Sequence, residues 1–213
     1  MTDHTTLRMH REHCRITDRD KISEILGMTC VCSIAFHDEP FPYVLQMNYG
    51  YTWEGDDLVF YLHCGMEGHK FDLIAADPRV AVFSGSFLNR IGHKSYRKEL
   101  HDYRSVIGYG TAELVRGEDE QAWLTGINAL LDNCGWPRLR TVTDKNKGRL
   151  QVLKVTCPVY TAKGQYPTDE LDEARMPTND EVDAGMVHDP LPKKTMEVDE
   201  SGDYQLEGEA PRA

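Results

Sequence analysis

The side chains best placed to do chemistry in this 213-residue chain are concentrated in Phe60-Tyr61-Leu62-His63-Cys64-Gly65-Met66-Glu67-Gly68-His69-Lys70. The segment reads as a strand end, a glycine-bearing turn and the first turn of a helix over 69–77. Free N–H groups at that helix start, Gly68 allowing close backbone approach, and Lys70 in the first turn would together hold an anion such as a phosphate. His63 shares a strand face with Tyr61 and Val59, where an imidazole can move a proton near neutral pH. Each residue also has a plainer reading. A first-turn lysine is ordinarily a solvated surface residue, and a strand-end histidine is ordinarily a hydrogen-bonded structural one.

Metal chemistry has less support. Cys30 and Cys32 form C-x-C rather than the C-x-x-C spacing of zinc sites, which places both thiols on one face of a strand as small buried hydrophobes. His10, His13 and Cys14 have no second cluster nearby in sequence, so the expectation is no metal. Neither G-x-G-x-x-G nor G-x-x-x-x-G-K-[ST] occurs.

The elements that must position these residues follow from periodicity. Thr17-Asp18-Arg19-Asp20 resembles a capping box, and Ile22, Ile25 and Leu26 fall at helical spacing before Gly27. Alternation over 30–36 and 43–49, separated by His37-Asp38-Glu39-Pro40, predicts a hairpin, and Leu58 to His63 a third strand. In the helix over 69–77, Phe71, Ile74 and Ala75 fall on one face and Asp77-Pro78 ends the run. Arg79 to Phe83 starts another strand. Tyr103 to Val115 is a long strand whose Gly108 and Gly110 mark a bulge, barrel curvature or a close backbone approach. Glu118-Asp119-Glu120 then opens the clearest helix, with Trp123, Ile127, Leu130, Leu131 and Cys134 as an apolar stripe suited to core or dimer contact rather than chemistry. Leu150 to Tyr160 is the last strand. Short strands with inserted helices imply a mainly β (α+β) small barrel rather than a doubly wound sheet.

Charge locates the domain edge. Residues 164–213 carry 14 of the 35 acidic residues and only 4 of the 24 basic ones, so nearly all of the net charge of −11 lies there. With Pro167, Pro177, Pro190, Pro192 and Pro211 and few large apolar side chains, this tail is expected to be mostly disordered, or to serve as an acidic interaction arm. The division is 1–15 as an N-terminal segment, 16–164 as the folded domain and 165–213 as the tail. Net acidity argues against nucleic-acid and anionic-membrane partners, and with no apolar run of spanning length or export signal the expectation is a cytoplasmic protein with reduced thiols.

From about Thr17 to Lys163 the chain resembles the pyridoxamine 5′-phosphate oxidase-like flavin-binding split β-barrel family, most nearly its nitroimidazole-resistance branch. Several pieces carry the resemblance in order: Ile16-Thr17-Asp18, Cys32-Ser33-Ile34-Ala35-Phe36, and Pro42-Tyr43-Val44 with Met47-Asn48-Tyr49-Gly50. They continue through Phe60-Tyr61-Leu62-His63, Gly68-His69-Lys70-Phe71-Asp72-Leu73-Ile74, Asp77-Pro78-Arg79-Val80, Tyr103 to Gly110 and Lys163-Gly164.

The resemblance implies a homodimer with FMN in a groove between subunits. Tyr43, Val44, Leu45, Gln46, Met47 and Asn48 would line the flavin ring, largely through backbone groups. Leu62 and His63 would sit at the cofactor edge, Gly68 and Lys70 would hold the phosphate, and Ser105 would touch phosphate or ring. The activity implied is FMN-dependent reduction of a small electron-poor acceptor such as a nitroimidazole, with His63 as proton donor or substrate orienter. A flavin- or haem-binding carrier or sensor without turnover is the alternative, and a deazaflavin could replace FMN. The extra arginines and C-terminal substrate residues of the vitamin B6 oxidase proper are missing, which argues against pyridoxine-phosphate oxidation. Residues 87–102, with Arg90, His93, Lys94, Arg97 and Lys98, are an insertion that reads as a basic lid or a solvated loop.

Overall fold

The fold was analysed in a computed structural model that describes residues 9, 12–92, 99–165, 196–198 and 204–206. His10, most of the acidic tail and residues 93–98 of the basic insertion lie outside the described residues, as do the side chains of His13, Arg90 and the rest of 86–92 and 99–102. The chain forms two compact units. The first contains the described residues up to Arg90 and from His101 to 165; the second takes 91–92, 99–100 and the described residues of the tail.

The first unit is a β-barrel. The elements up to residue 165 are β1 (Arg15–Ile16), α1 (Arg19–Gly27), β2 (Val31–Phe36), β3 (Tyr43–Glu54), β4 (Asp57–Cys64), α2 (Lys70–Ala76), β5 (Arg79–Gly92), β6 (Glu99–Val115), α3 (Glu120–Asn133), α4 (Asp144–Lys147) and β7 (Gln151–Gln165), of which only 91–92 of β5 and 99–100 of β6 fall outside this unit. The sheet order is β1-β7-β4-β3-β2-β5-β6, and the additional β6–β7 pairing closes six strands into a barrel with β1 appended. Closure leaves those six strands no free edge. In the tail, β8 (Met196–Val198) and β9 (Tyr204–Leu206) form a short antiparallel pair that composition did not foreshadow.

Alternation decides what fills the barrel. Cys32, Ile34, Phe36, Tyr49, Leu58, Phe60, Leu62, Val82, Val106, Leu153, Val155 and Cys157 point inward as one core. Each end is plugged by a helix. Helix α1 inserts Ile22, Ile25 and Leu26, and its carbonyls are tied to the wall by Tyr49 Oη to Leu26 O at 2.7 Å and Tyr51 Oη to Ser23 O at 2.8 Å. Its N-cap is Asp18, which accepts from the Asp20 and Lys21 N–H groups, one residue later than the capping-box reading placed it. Helix α2 brings Leu73 and Ile74 to the other end.

Outside the barrel, α3 packs Trp123, Ile127 and Ala129 against Val59, Tyr61 and Val152 in a second core. The approach is close enough that a Cβ on Gly50 would lie 2.1 Å from the Ala129 carbonyl, so only glycine fits there. The apolar stripe around Trp123 is therefore core. The glycine pair in β6 resolves into a bulge: the register with β7 shifts between Tyr109 and Thr111, and Gly110 presses onto the Thr156 carbonyl.

Candidate functional site on the uncovered barrel wall

Because α3 covers only the second half of β3, the first half keeps its outer face open. Register aligns three rows of outward residues there: Val44, Ala35 and Ala81; Gln46, Ser33 and Phe83; Asn48 and Val31. Val44, Phe83 and Val31 are 54%, 45% and 40% exposed, an apolar patch on an otherwise charged protein. Tyr43, Leu45 and Met47 turn inward and pack on the core, so of the six strand residues expected to line a flavin only Val44, Gln46 and Asn48 offer side chains outward. Leu62 is sealed inside the barrel at 0% exposure; its side chain cannot touch a ligand on the wall, a correction that follows from strand parity.

At the barrel end where β3 begins sits the predicted anion site. Lys70 is only 9% exposed, against the expectation for a first-turn lysine. Its Nζ stacks 4.3 Å from the Phe71 ring centre and donates to the Glu67 carbonyl at a long 3.4 Å. It has no carboxylate partner among the described residues. Gly68 has φ of +138°, a conformation that L side chains rarely adopt. The free N–H contribution is smaller than expected, because α2 is a seven-residue helix and the Phe71 N–H already bonds the Gly68 carbonyl. The site therefore rests on the ammonium. Beside it, His69 Nε2 is 2.9 Å from Asp38 Oδ2, and that hydrogen bond leads the causes holding the Asp38 carboxyl below the usual carboxylate range. The His69 ring meets the Tyr43 ring edge-on at 5.3 Å, fastening α2 to the start of β3.

His63 is half-buried on the outer face of β4, opposite Val152, with no hydrogen-bond partner among the described residues. Ser105 is 6% exposed, and its Oγ is buried without a partner among the described residues. It pairs in register with Lys163, whereas Gln151, at the opposite end of β7, pairs with Cys64 near Lys70. Those twelve positions correspond to about 40 Å of strand. Gln151 has no signal in the sequence: its Oε1 is a buried acceptor without a partner among the described residues, while its Nε2 reaches the Met66 carbonyl at 3.4 Å. Nothing local to its sequence separates it from an ordinary strand residue.

A family model described as Pyridoxamine 5'-phosphate oxidase matches residues 18–163. The chain belongs to that family. Among solved structures it is similar to a protein of Bacteroides thetaiotaomicron VPI-5482 provisionally described as a 5-nitroimidazole antibiotic resistance protein, at 25% identity and TM-score 0.56, covering 70% of this chain and 85% of that one. It is also similar to the FAD and haem binding protein of Mycobacterium smegmatis, at 19% identity and TM-score 0.59, covering 81% and 80%. The flavocytochrome Anf3 of Azotobacter vinelandii matches at 20% identity and TM-score 0.58, covering 75% and 72%. No curated protein matches. The match to the oxidase family ends within β7, so it takes in the barrel, its two plugs and α3 but none of the acidic tail.

No described helix is long and apolar enough to cross a membrane, and no group of three or more metal-ligating side chains occurs among the described residues.

Proposed function

We propose that the protein is a homodimeric, FMN-dependent oxidoreductase of the pyridoxamine 5′-phosphate oxidase family that reduces a small electron-poor acceptor, of which a nitroimidazole is the leading example. The observation that carries the reading is Lys70. A lysine only 9% exposed, whose ammonium has one long hydrogen bond and no carboxylate beside it among the described residues, is costly unless an anion joins it. A terminal phosphate supplies that anion, and this favours FMN over cofactors lacking one. The orphaned Ser105 hydroxyl supports the same reading as a ring or partner-copy contact.

In this proposal Lys70 donates to the phosphate, and Gly68 keeps side-chain bulk away from the ammonium. Val44, Gln46 and Asn48, with Phe83 alongside, form the wall on which the ring lies, and the apolar rows pack against the same rows of a second copy to exclude water. Bound there, the flavin would supply the hydride that the acceptor takes. His63, at the edge of the wall, orients the acceptor and gives it a proton. All six cysteines are free thiols, which supports a reducing, cytoplasmic setting. The acidic net charge supports a small-molecule partner rather than a nucleic acid or a membrane.

The test is the visible spectrum and extracted-cofactor mass of protein isolated without added ligand. An oxidised-flavin spectrum with the mass of FMN supports the proposal. A Soret band favours a haem carrier, the mass of FAD or a deazaflavin replaces the cofactor, and a colourless protein that ignores added FMN refutes the flavin reading.

A further inference from the structure

Six cysteines are spread over the chain, and four of them, Cys14, Cys32, Cys64 and Cys157, are buried. Cys30 and Cys134 differ. Both are half-exposed, and neither belongs to the barrel interior. Cys30 precedes β2 rather than lying within it, so it does not share the buried face of Cys32 as the C-x-C spacing suggested. Cys134 is the C-cap of α3.

Hydrogen bonds bring the two together. Asn133 Nδ2 donates to the Thr29 carbonyl at 3.1 Å and to the Tyr49 carbonyl at 3.0 Å, joining the residues that immediately precede the two cysteines although they are 104 positions apart. From the other side Asn48 Nδ2 approaches the Cys30 carbonyl at 3.3 Å and Cys30 Sγ at 3.9 Å. The Cys134 thiol lies against that of Cys30, and burial together with this neighbour pushes it up to about 11. Asn48 Nδ2 faces the Cys30 sulfur, so the first attack is assigned to Cys30 and the resolving one to Cys134.

We propose that Cys30 and Cys134 are a redox-active dithiol that a hydroperoxide converts to an intramolecular disulfide. The Cys30 thiolate attacks a peroxide oxygen, the O–O bond breaks, and water or an alcohol leaves as Cys30 becomes a sulfenic acid. The Cys134 sulfur then attacks the Cys30 sulfur, the S–OH bond breaks, and water leaves with the Cys134 proton. Two thiols lose two electrons and the hydroperoxide gains them. The product ties the entry of β2 to the end of α3. It also removes the thiol that Asn48 faces, at the border between the α3-covered and open halves of β3; if the flavin reading holds, oxidation thereby reaches the cofactor wall.

The test uses full-length protein treated with equimolar hydrogen peroxide, then alkylated and peptide-mapped without reductant. The expected result is a cross-linked peptide pair containing Cys30 and Cys134, lighter by two hydrogens, with Cys14, Cys32, Cys64 and Cys157 recovered as thiols. In Cys134→Ser, dimedone is expected to trap a sulfenic acid at Cys30. Full alkylation of both cysteines after peroxide, or their oxidation only into bonds between molecules, overturns the proposal. The wild-type map needs neither cofactor nor variant, so its failure would leave the flavin reading standing, and loss of flavin binding would leave the dithiol standing.

Discussion

A methyl group on Gly68 would lie 3.0 Å from the Nζ of Lys70, in a backbone conformation of φ +138°. The turn is thus shaped around the ammonium, and the two residues work as a unit. Lys70→Ala should leave the fold intact and weaken FMN binding by roughly tenfold or more, since a charge-assisted hydrogen bond contributes about 1.5–3 kcal/mol. Gly68→Ala should weaken it too, through strain of about 1–3 kcal/mol at the turn and displacement of the ammonium. Flavin-fluorescence titration of the apoprotein, with circular dichroism to check the fold, measures both. An unchanged dissociation constant in Lys70→Ala removes the residue from the site.

Trp123 is fully buried on the inner face of α3, and its Nε1 donates to the Leu150 carbonyl at 3.3 Å. Trp123→Ala should cost roughly 3–5 kcal/mol, because a cavity of that size at a helix–sheet contact collapses only in part. The urea midpoint should fall while flavin bound per folded molecule stays constant. Selective loss of activity in a stable variant would show that α3 reaches the chemistry.

How far the sequence could be read follows from which contacts are local. The inward residues of β2 and β4 are periodic within one element, so those strands are legible to within a residue or two; the bounds of α2 are too, but its buried apolar residue is Leu73, while Ala75, expected on the apolar face, is exposed. Alternation ends β3 at Tyr49, yet the strand continues to Glu54, because Gly50, a breaker in isolation, is where the α3 backbone lands. Lys70 falls in the first turn of α2 as the periodicity predicts, but its burial has no local signal, since burial is a property of the assembled barrel end. Ser105 could be assigned to the opposite end only once the β6–β7 register was known. The proximity of Cys30 and Cys134 depends on α3 packing and has no signal at all in their spacing. α4 was missed because its capping box pairs Thr143 with Asn146 rather than with the usual Glu or Gln.

Alkaline pH should destabilise the fold through its buried thiols. Burial pushes Cys32 and Cys157 each up to about 12. In the unfolded chain a thiol loses its proton near pH ~8.5. Above that value the unfolded state binds fewer protons than the native state, so stability, complete below it, declines as pH rises toward 12. Denaturant titrations between pH 8 and pH 11 should give a falling stability, with a shallower slope in Cys157→Ala whatever its absolute stability. Parallel slopes would mean that the thiol does not contribute.

His63→Ala should separate binding from chemistry. Flavin occupancy should stay near wild type, because the wall and Lys70 remain, while reoxidation of the reduced protein by a nitroaromatic acceptor slows by roughly a hundredfold, the lower end of general acid–base contributions. Stopped-flow absorbance reads the rate. Equal rates would make His63 a bystander, and loss of flavin would make it a binding residue.

The central claim is that the uncovered rows around Val44 and Phe83 hold FMN between two copies of the chain. Native mass spectrometry of the full chain with FMN tests subunit and cofactor number in one spectrum, and Val44→Glu places a charge on the most exposed apolar residue of the rows without touching Lys70. The account predicts a wild-type dimer carrying two FMN and a Val44→Glu monomer whose flavin is lost or sharply reduced. A monomer that binds FMN as tightly as the wild type, or a dimer that never takes up flavin, would contradict it.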